Sequence, residues 1–358
     1  MANLTRPKIS VTFTELGVSA VTRGTKGVVA IIVRDAAEQV PVALTQATQV
    51  PTTLGKDNQD YISRAFLGYV NPPKKVLVYV APVEGDADLT EALEYMATQD
   101  FDYIVGPAGC TADEAEAIAT WVKTQRAVTG AKYKAVLPNT AADDYAVINF
   151  ATGGLQAGKT VYTDAQYCSR IAGLLAGTPM SISATYAPLT ELSDVVRMTK
   201  EEQDEAITAG KLIAIWDGRK VKLSRAVNSM TTTKPGIQDS FKKIKIVEIM
   251  DLIRTDITAT AEDEYIGKYA NTYDNKLLLI TAIRAYMMGL AIDQLVGGDF
   301  TVDIDLDAQA AWLAANDTDT SEMSDQEIKE ADTGTQVFIR ITCTILDAVE
   351  DITIAVSI

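Results

Sequence analysis

The sequence predicts an α/β protein with a mostly parallel sheet, joined to a C-terminal α+β domain and flanked by extended terminal β-arms. Between residues 28 and 195, continuous apolar runs alternate with amphipathic helical patterns, as expected for a parallel sheet covered on both faces. From 196 to 334 a hairpin pattern and two long helical patterns replace that alternation. At each end, segments in strict apolar–polar alternation stand apart. The expected organisation is an N-terminal arm over 1–27, an α/β domain over 28–195, a C-terminal α+β domain over 196–334 and a C-terminal β-arm over 335–358.

The first arm is PKISVTFTEL (7–16), with Ile9, Val11 and Phe13 on one side and Ser10, Thr12 and Thr14 on the other. Glycines at 17, 24 and 27 separate it from the buried run VVAIIV at 28–33. KVLVYVA (75–81) leads to a helix near 88–99. DYIVGP (102–107) leads to one whose Thr111 and Glu114 have capping-box spacing and which Gly130 stops. KYKAVLP (132–138) and YAVINFA (145–151) add two strands. Asp164 caps a helix with Tyr167, Ile171, Leu174 and Leu175 on one face, ending at Gly177 before Pro179.

Thr199 and Glu202 open a short helix that runs to Gly210. KLIAIW (211–216) and RKVKLSRAV (219–227) flank Asp217-Gly218, which supplies the positive φ of a type I′ hairpin turn. Helices follow near 239–257 and 274–296, the second closed by Gly297-Gly298. The acidic stretch 317–332 reads as a solvated loop and a short helix starting at Ser324, with Glu327 three residues on. In the last stretch Val337, Ile339, Ile341, Cys343 and Ile345 alternate with Arg340, Thr342 and Thr344; beyond Glu350, Ile352, Ile354, Val356 and Ile358 alternate again. A terminal strand of this kind suits either an edge of its own domain or donation to another subunit.

Composition narrows the chemistry. With 358 residues and 47% hydrophobic content the chain fills ordinary cores, which excludes a disordered tail or a disulfide-stapled miniprotein. Against 32 Lys+Arg stand 48 Asp+Glu, a net −16 that opposes capture of nucleic acid or anionic lipid. From residue 291 onward there are fifteen acidic and two basic residues, so one end is strongly electronegative. Histidine is absent, which removes Ser-His-Asp and Cys-His nucleophiles and His-ligated metal or haem. Cys110, Cys168 and Cys343 are far apart and suit free thiols in a reducing compartment. The start has no apolar h-region, and LLLITAI (277–283) is interrupted by Arg284, so neither export nor membrane insertion is expected.

Three motifs compete for a functional reading. GGLQAGKT (153–160) matches the phosphate-loop pattern, with Lys159 and Thr160 at the phosphate and magnesium positions and Asp217 as a metal-holding acid; this is the alternative of a P-loop NTPase. A true phosphate loop opens a helix within Gly-Lys-Thr, whereas VYT follows here, so two short strands around a glycine turn fit better. DIDLD (303–307) imitates a calcium loop but has Ala308 and Ala314 where glycine and glutamate are required. Lys242, Lys243 and Lys245 share a helix with Phe241, Ile244, Val247, Met250 and Ile253, either as a solvated face or as a contact to an acidic partner. No cofactor and no metal site is expected.

Four ordered segments carry a resemblance: AGLLAGTPMSISATYAPL (172–189), KLIAIWDGRKVKLSRAVNSMTT (211–232), YIGKYANTYDNKLLLITAIRAYM (265–287) and TQVFIRITCTILDAVEDITIAV (335–356). From about residue 28 to the C-terminus the chain resembles the contractile tail sheath proteins of myophage-like particles, R-type bacteriocins and related contractile injection particles. That resemblance implies a non-enzymatic subunit made in the bacterial cytoplasm, stacked as six-fold rings around an inner tail tube and meeting baseplate and terminator proteins. It implies terminal arms added as strands to neighbouring copies: Ile9, Val11 and Phe13 from one end, and Val337, Ile339, Ile341, Ile345, Ile352, Ile354 and Val356 from the other. The α/β region of the family is subtilisin-like, here by architecture alone since no triad can form. The resemblance also places a C-terminal-domain helix on the tube, carried onto Lys242, Lys243 and Lys245. The short chain suggests that decorating outer domains are absent. The hairpin at 211–227 is the expected acceptor edge.

Overall fold

The computed structural model describes residues 20–24, 26–36, 41–83 and 89–357. In chain order the first elements are β1 (Val28–Arg34), β2 (Val42–Leu44), α1 (Lys56–Ala65), β3 (Lys75–Ala81), α2 (Thr90–Ala97), β4 (Tyr103–Val105), α3 (Ala112–Val128), β5 (Lys134–Pro138) and β6 (Val147–Phe150). Then come β7 (Leu155–Ala157), β8 (Thr160–Tyr162), α4 (Asp164–Ala176), α5 (Lys200–Thr208), β9 (Lys211–Leu212), β10 (Ala214–Trp216) and β11 (Val221–Leu223). The last are α6 (Ile244–Thr260), α7 (Tyr273–Ile292), β12 (Thr301–Ile304), α8 (Leu306–Ala315), α9 (Asp325–Glu330) and β13 (Ile339–Thr342).

Among the described residues seven strands form the main sheet in the order β2-β3-β1-β4-β5-β6-β9. All neighbours are parallel except β2, which runs antiparallel to β3 at one edge. Its burial follows from the alternation of side chains across a strand. Val29, Ile31 and Val33 of β1 enter a core with Tyr61 and Ile62 of α1 and Ile171 and Leu174 of α4. Ala30 and Ile32 enter a second core with Leu93 and Met96 of α2 and Ile118 and Val122 of α3. Because both faces are covered, the strand reads as an unbroken apolar run.

The capping boxes at Thr111/Glu114, Thr199/Glu202 and Ser324/Glu327 form as their spacing predicts. The cap of α4 is Thr163, paired with Gln166, one residue before the expected Asp164. Gly173 lets α4 touch α1: a Cβ there would sit 1.9 Å from the Ala65 carbonyl oxygen.

The described chain divides into two compact units. One holds Gly24–Thr255, Asp293–Gly297 and Ile345–Ile358; the other holds Asp256–Ile292, Gly298–Thr344 and the described residues up to Arg23. The first therefore extends well past the 195/196 boundary expected from the sequence. The reason is that β9 completes the parallel sheet, and Ala214, Leu223, Ala226 and Ile244 enter its core.

In the first unit a buried charge network joins α6 to the sheet. Asp251 accepts from Arg126 at 2.6 and 3.1 Å and from Lys134 at 2.9 Å; Glu248 accepts from Lys26 at 2.6 Å and from the Tyr103 hydroxyl. Burial works against the charged Lys26 ammonium and lowers its pKa, with Glu248 opposing.

In the second unit, α7 is long and apolar enough by length and composition to cross a bilayer, at a mean hydropathy of 1.3. Arg284 does not interrupt it, and Ile280, Ile283, Met287 and Leu290 are buried in the protein. The acidic DIDLD stretch is β12 and a helix cap: Asp305 accepts from the Ala308 amide at the start of α8.

Candidate assembly surface

The C-terminal stretch that the sequence reads as one arm is used in three ways. Its first part is β13, which pairs antiparallel with β12 in the register Val302↔Ile341 and Ile304↔Ile339. Val302 and Ile304 are buried, while Ile339 and Ile341 are half-buried and Val337 is 43% exposed. Residues 339–342 thus already have a strand partner in their own chain, a correction to the expected place of Ile339 and Ile341 in a free arm. The apolar side chains of β12 hold them there. Among the described residues this ribbon has two strands, with Arg284 donating to the Val302 carbonyl at 2.8 Å, and a two-stranded ribbon is marginal without further strands.

The second part is an anchor within the first unit. Ile345 bridges Val296, and the Leu346 amide donates to the Leu295 carbonyl at 2.9 Å. Glu350, its side chain 5% exposed, accepts from Lys243 Nζ at 2.8 Å and Thr185 Oγ1 at 2.5 Å, with Arg225 Nε at 3.5 Å. Asp347 meets Lys243 and Asp351 meets Arg225, each at 2.5 Å. Burial disfavours the Lys243 ammonium, but its hydrogen bonds to Asp347 and Glu350 outweigh that and raise its pKa.

The third part is exposed. Ile352, Ile354 and Val356 are 74, 79 and 80% exposed and belong to no strand among the described residues. These three keep the period-two alternation of a strand, with its apolar side unburied. Ile9, Val11 and Phe13 lie outside the described residues.

The lysines do not share one helix face. A 3-10 turn spans Asp239–Lys242, Lys243 is extended, and α6 begins at Ile244, so the expected helix start falls five residues late. Lys242 pairs with Asp239 at 2.8 Å, Lys243 holds the C-terminal segment, and Lys245 is 5% exposed with its pKa lowered by burial.

The hairpin forms, but of Asp217-Gly218 only Gly218 takes positive φ, at +95°, so the turn is not the expected type I′. The Asp217 carboxylate accepts from the Arg219 and Lys220 amides, and bonds to the Lys220 and Arg219 backbone bring its pKa down to about 2. The outer edge of β11 is not open, because Leu189 donates to Val221 at 3.0 Å and Leu223 to Ala187 at 2.9 Å. That corrects the expectation that the hairpin receives a donated strand there.

The phosphate-loop pattern is a hairpin. β7 and β8 pair antiparallel around Gly158 at φ +61°, and α4 starts only at Asp164, so no helix N-terminus faces Lys159. The three cysteines are free; Cys168 is buried, and Cys110 and Cys343 are partly exposed. Burial pushes the Cys110 thiol up to about 12, so it is inert at neutral pH.

Comparisons with known proteins agree with this geometry. The chain matches the family models of the phage tail sheath protein central domain over residues 83–229 and the phage tail sheath C-terminal domain over 238–358. It is 36% identical over 353 residues to the tail sheath protein of Clostridium phage phiCD119, covering 97% of this chain and 98% of that one. A crystal structure of the sheath tail protein from Desulfitobacterium hafniense superposes with a TM-score of 0.71 at 18% identity, over 83% of this chain and 94% of that chain. The anti-feeding prophage helical sheath in its contracted state superposes at 0.72 and 14% identity, over 99% of each chain. At such identities the two structures support the fold.

Proposed function

The chain belongs to the phage tail sheath protein family, and from that premise we propose that its copies polymerise as six-fold rings around an inner tail tube, linked by exchanged terminal β-strands. It is a structural subunit of a phage tail or tail-like particle, not an enzyme. The polymer has an extended and a contracted packing, and rigid subunit bodies reorient between them to drive the tube. R-type bacteriocins and other contractile injection particles would use the same design. Baseplate and terminator proteins close the two ends.

The observation that carries this reading is the β12–β13 ribbon, two strands wide among the described residues, together with an exposed tail that keeps strand alternation. The ribbon is the acceptor in the proposal, in place of the hairpin at 211–227. Ile9, Val11 and Phe13 of one neighbour and Ile352, Ile354 and Val356 of another supply the strands. Of the three lysines, Lys242 is the one whose side chain we assign to the tube, since Lys243 is engaged by its own C-terminal segment and Lys245 is buried.

Burying each donated aliphatic side chain contributes ~1.5–3 kcal/mol and each ladder bond ~0.5–1.5 kcal/mol. Ordering the arm costs about 1–2 kcal/mol per residue. The difference per arm is small, so assembly rests on several links per subunit at high effective concentration. Removing residues 1–20, or residues 352–358, should leave a folded monomer with unchanged melting and no tubules by electron microscopy. Tubules as long as those of the full chain from both truncated proteins would refute strand exchange.

A further inference from the structure

We infer that the Glu350 cluster is an anchor that fixes the point at which the C-terminal strand leaves the subunit, and so sets the distance over which it can be donated. The inference rests on the strand-exchange reading above and adds a positioning residue to it.

The chain spends its burial in an unusual order here. Glu350, a carboxylate, is 5% exposed at its side chain, while the apolar Val349, Ile352, Ile354 and Val356 are 74 to 84% exposed. A terminus that needed only to be tied down would bury its aliphatic side chains and leave the carboxylate in water. The observed order keeps the aliphatic residues for a surface elsewhere and uses directional charge-assisted bonds to hold one point of the backbone. The receiving side carries hydrogen bonds of its own. Ser183 Oγ donates to Thr185 Oγ1 at 2.9 Å, Thr185 Oγ1 accepts from the Ala226 amide at 2.9 Å, and Lys243 and Arg225 bring two cations to one carboxylate. Asp347 and Asp351 share the same two cations, so both sides of Glu350 are held.

Chain length turns the anchor into a distance. Val356, an exposed residue of the tail's alternation, lies five residues beyond Asp351, a span of at most about 18 Å. If the cluster opened and Ile345 and Leu346 also left Val296 and Leu295, the twelve residues from Ile345 to Val356 would be free, with a reach of about 43 Å. With the anchor closed, every copy offers a strand of the same reach, and the acceptor ribbon must lie within it. Uniform reach gives uniform spacing between copies.

The test uses the full chain with Glu350→Gln, which keeps size and removes charge, and independently Lys243→Met, which removes the partner. In the monomer, hydrogen exchange at amides of 345–351 should quicken about tenfold or more in both variants, with the rest of the first unit unchanged. In polymers, both variants should still form tubules, because the donated residues are intact, but with a broadened spacing between subunits by electron microscopy. Unchanged exchange and wild-type spacing in both variants would overturn the anchor. Tubules from protein lacking 352–358 would instead overturn strand donation, while faster exchange in Glu350→Gln would still uphold the anchored segment.

Discussion

Replacing Asp251 by alanine removes the shared partner of two buried cations. Arg126 is 8% exposed and Lys134 3%, and Asp251 binds the first through two oxygens at 2.6 and 3.1 Å and the second at 2.9 Å. Removing one member of a buried ion pair costs ~3–5 kcal/mol, because the remaining charge stays desolvated. Two partners are stranded here. Arg126 retains the Tyr133 carbonyl at 3.3 Å and the face of Tyr145, and Lys134 retains the Lys132 carbonyl at 3.2 Å, which limits the loss. The expected destabilisation is therefore about 4 kcal/mol, a fall in melting temperature of ~8–16 °C for a unit of this size. Urea titration followed by circular dichroism measures it. The triple variant Arg126→Met, Lys134→Met, Asp251→Leu should lose less than Asp251→Ala, since it removes the charges together. A single variant within 1 kcal/mol of wild type, or a triple variant less stable than the single, would refute this account of how α6 is fixed to the sheet.

Lys159→Ala should change neither melting temperature nor tubule formation, and neither protein should retain ATP in equilibrium dialysis; loss of nucleotide binding in the variant would restore the phosphate-loop reading. Gly173→Ala should cost ~1–3 kcal/mol, because the added carbon meets the rigid Ala65 backbone, and thermal denaturation would show it. Glu191 is opposed by burial but held by Arg170 Nε at 2.6 Å, and its pKa lies below the ordinary 4.5. Between that lowered value and 4.5 the unfolded chain binds more protons, so this contribution is complete above about pH 4.5 and is lost as pH falls. Glu191→Gln should accordingly flatten the acid side of the stability curve, measured by urea titration at pH 3 to 6.

The parallel sheet was legible because its strands are buried on both faces: VVAIIV and KVLVYVA appear within a residue of their expected bounds. Capping boxes were legible for an equally local reason. What pattern could not decide was partnership. Of the 337–345 alternation only 339–342 is a strand, and only the facing period of Val302 and Ile304 in TVDI says that its mate lies in the same chain. α1 went unread although Tyr61, Ile62 and Ala65 give it a buried side after Gly55. The anchor at Glu350 depends on residues from 183 to 351 meeting in space, which local periodicity does not carry.

Strand exchange is tested most directly by a density map of the assembled polymer at side-chain resolution, examined at the β12–β13 ribbon. The account predicts a widened sheet in which that ribbon is bordered by strands of other copies, one carrying Ile9, Val11 and Phe13 and one carrying Ile352, Ile354 and Val356. A ribbon still two strands wide, with both termini packed on their own subunit, would contradict it.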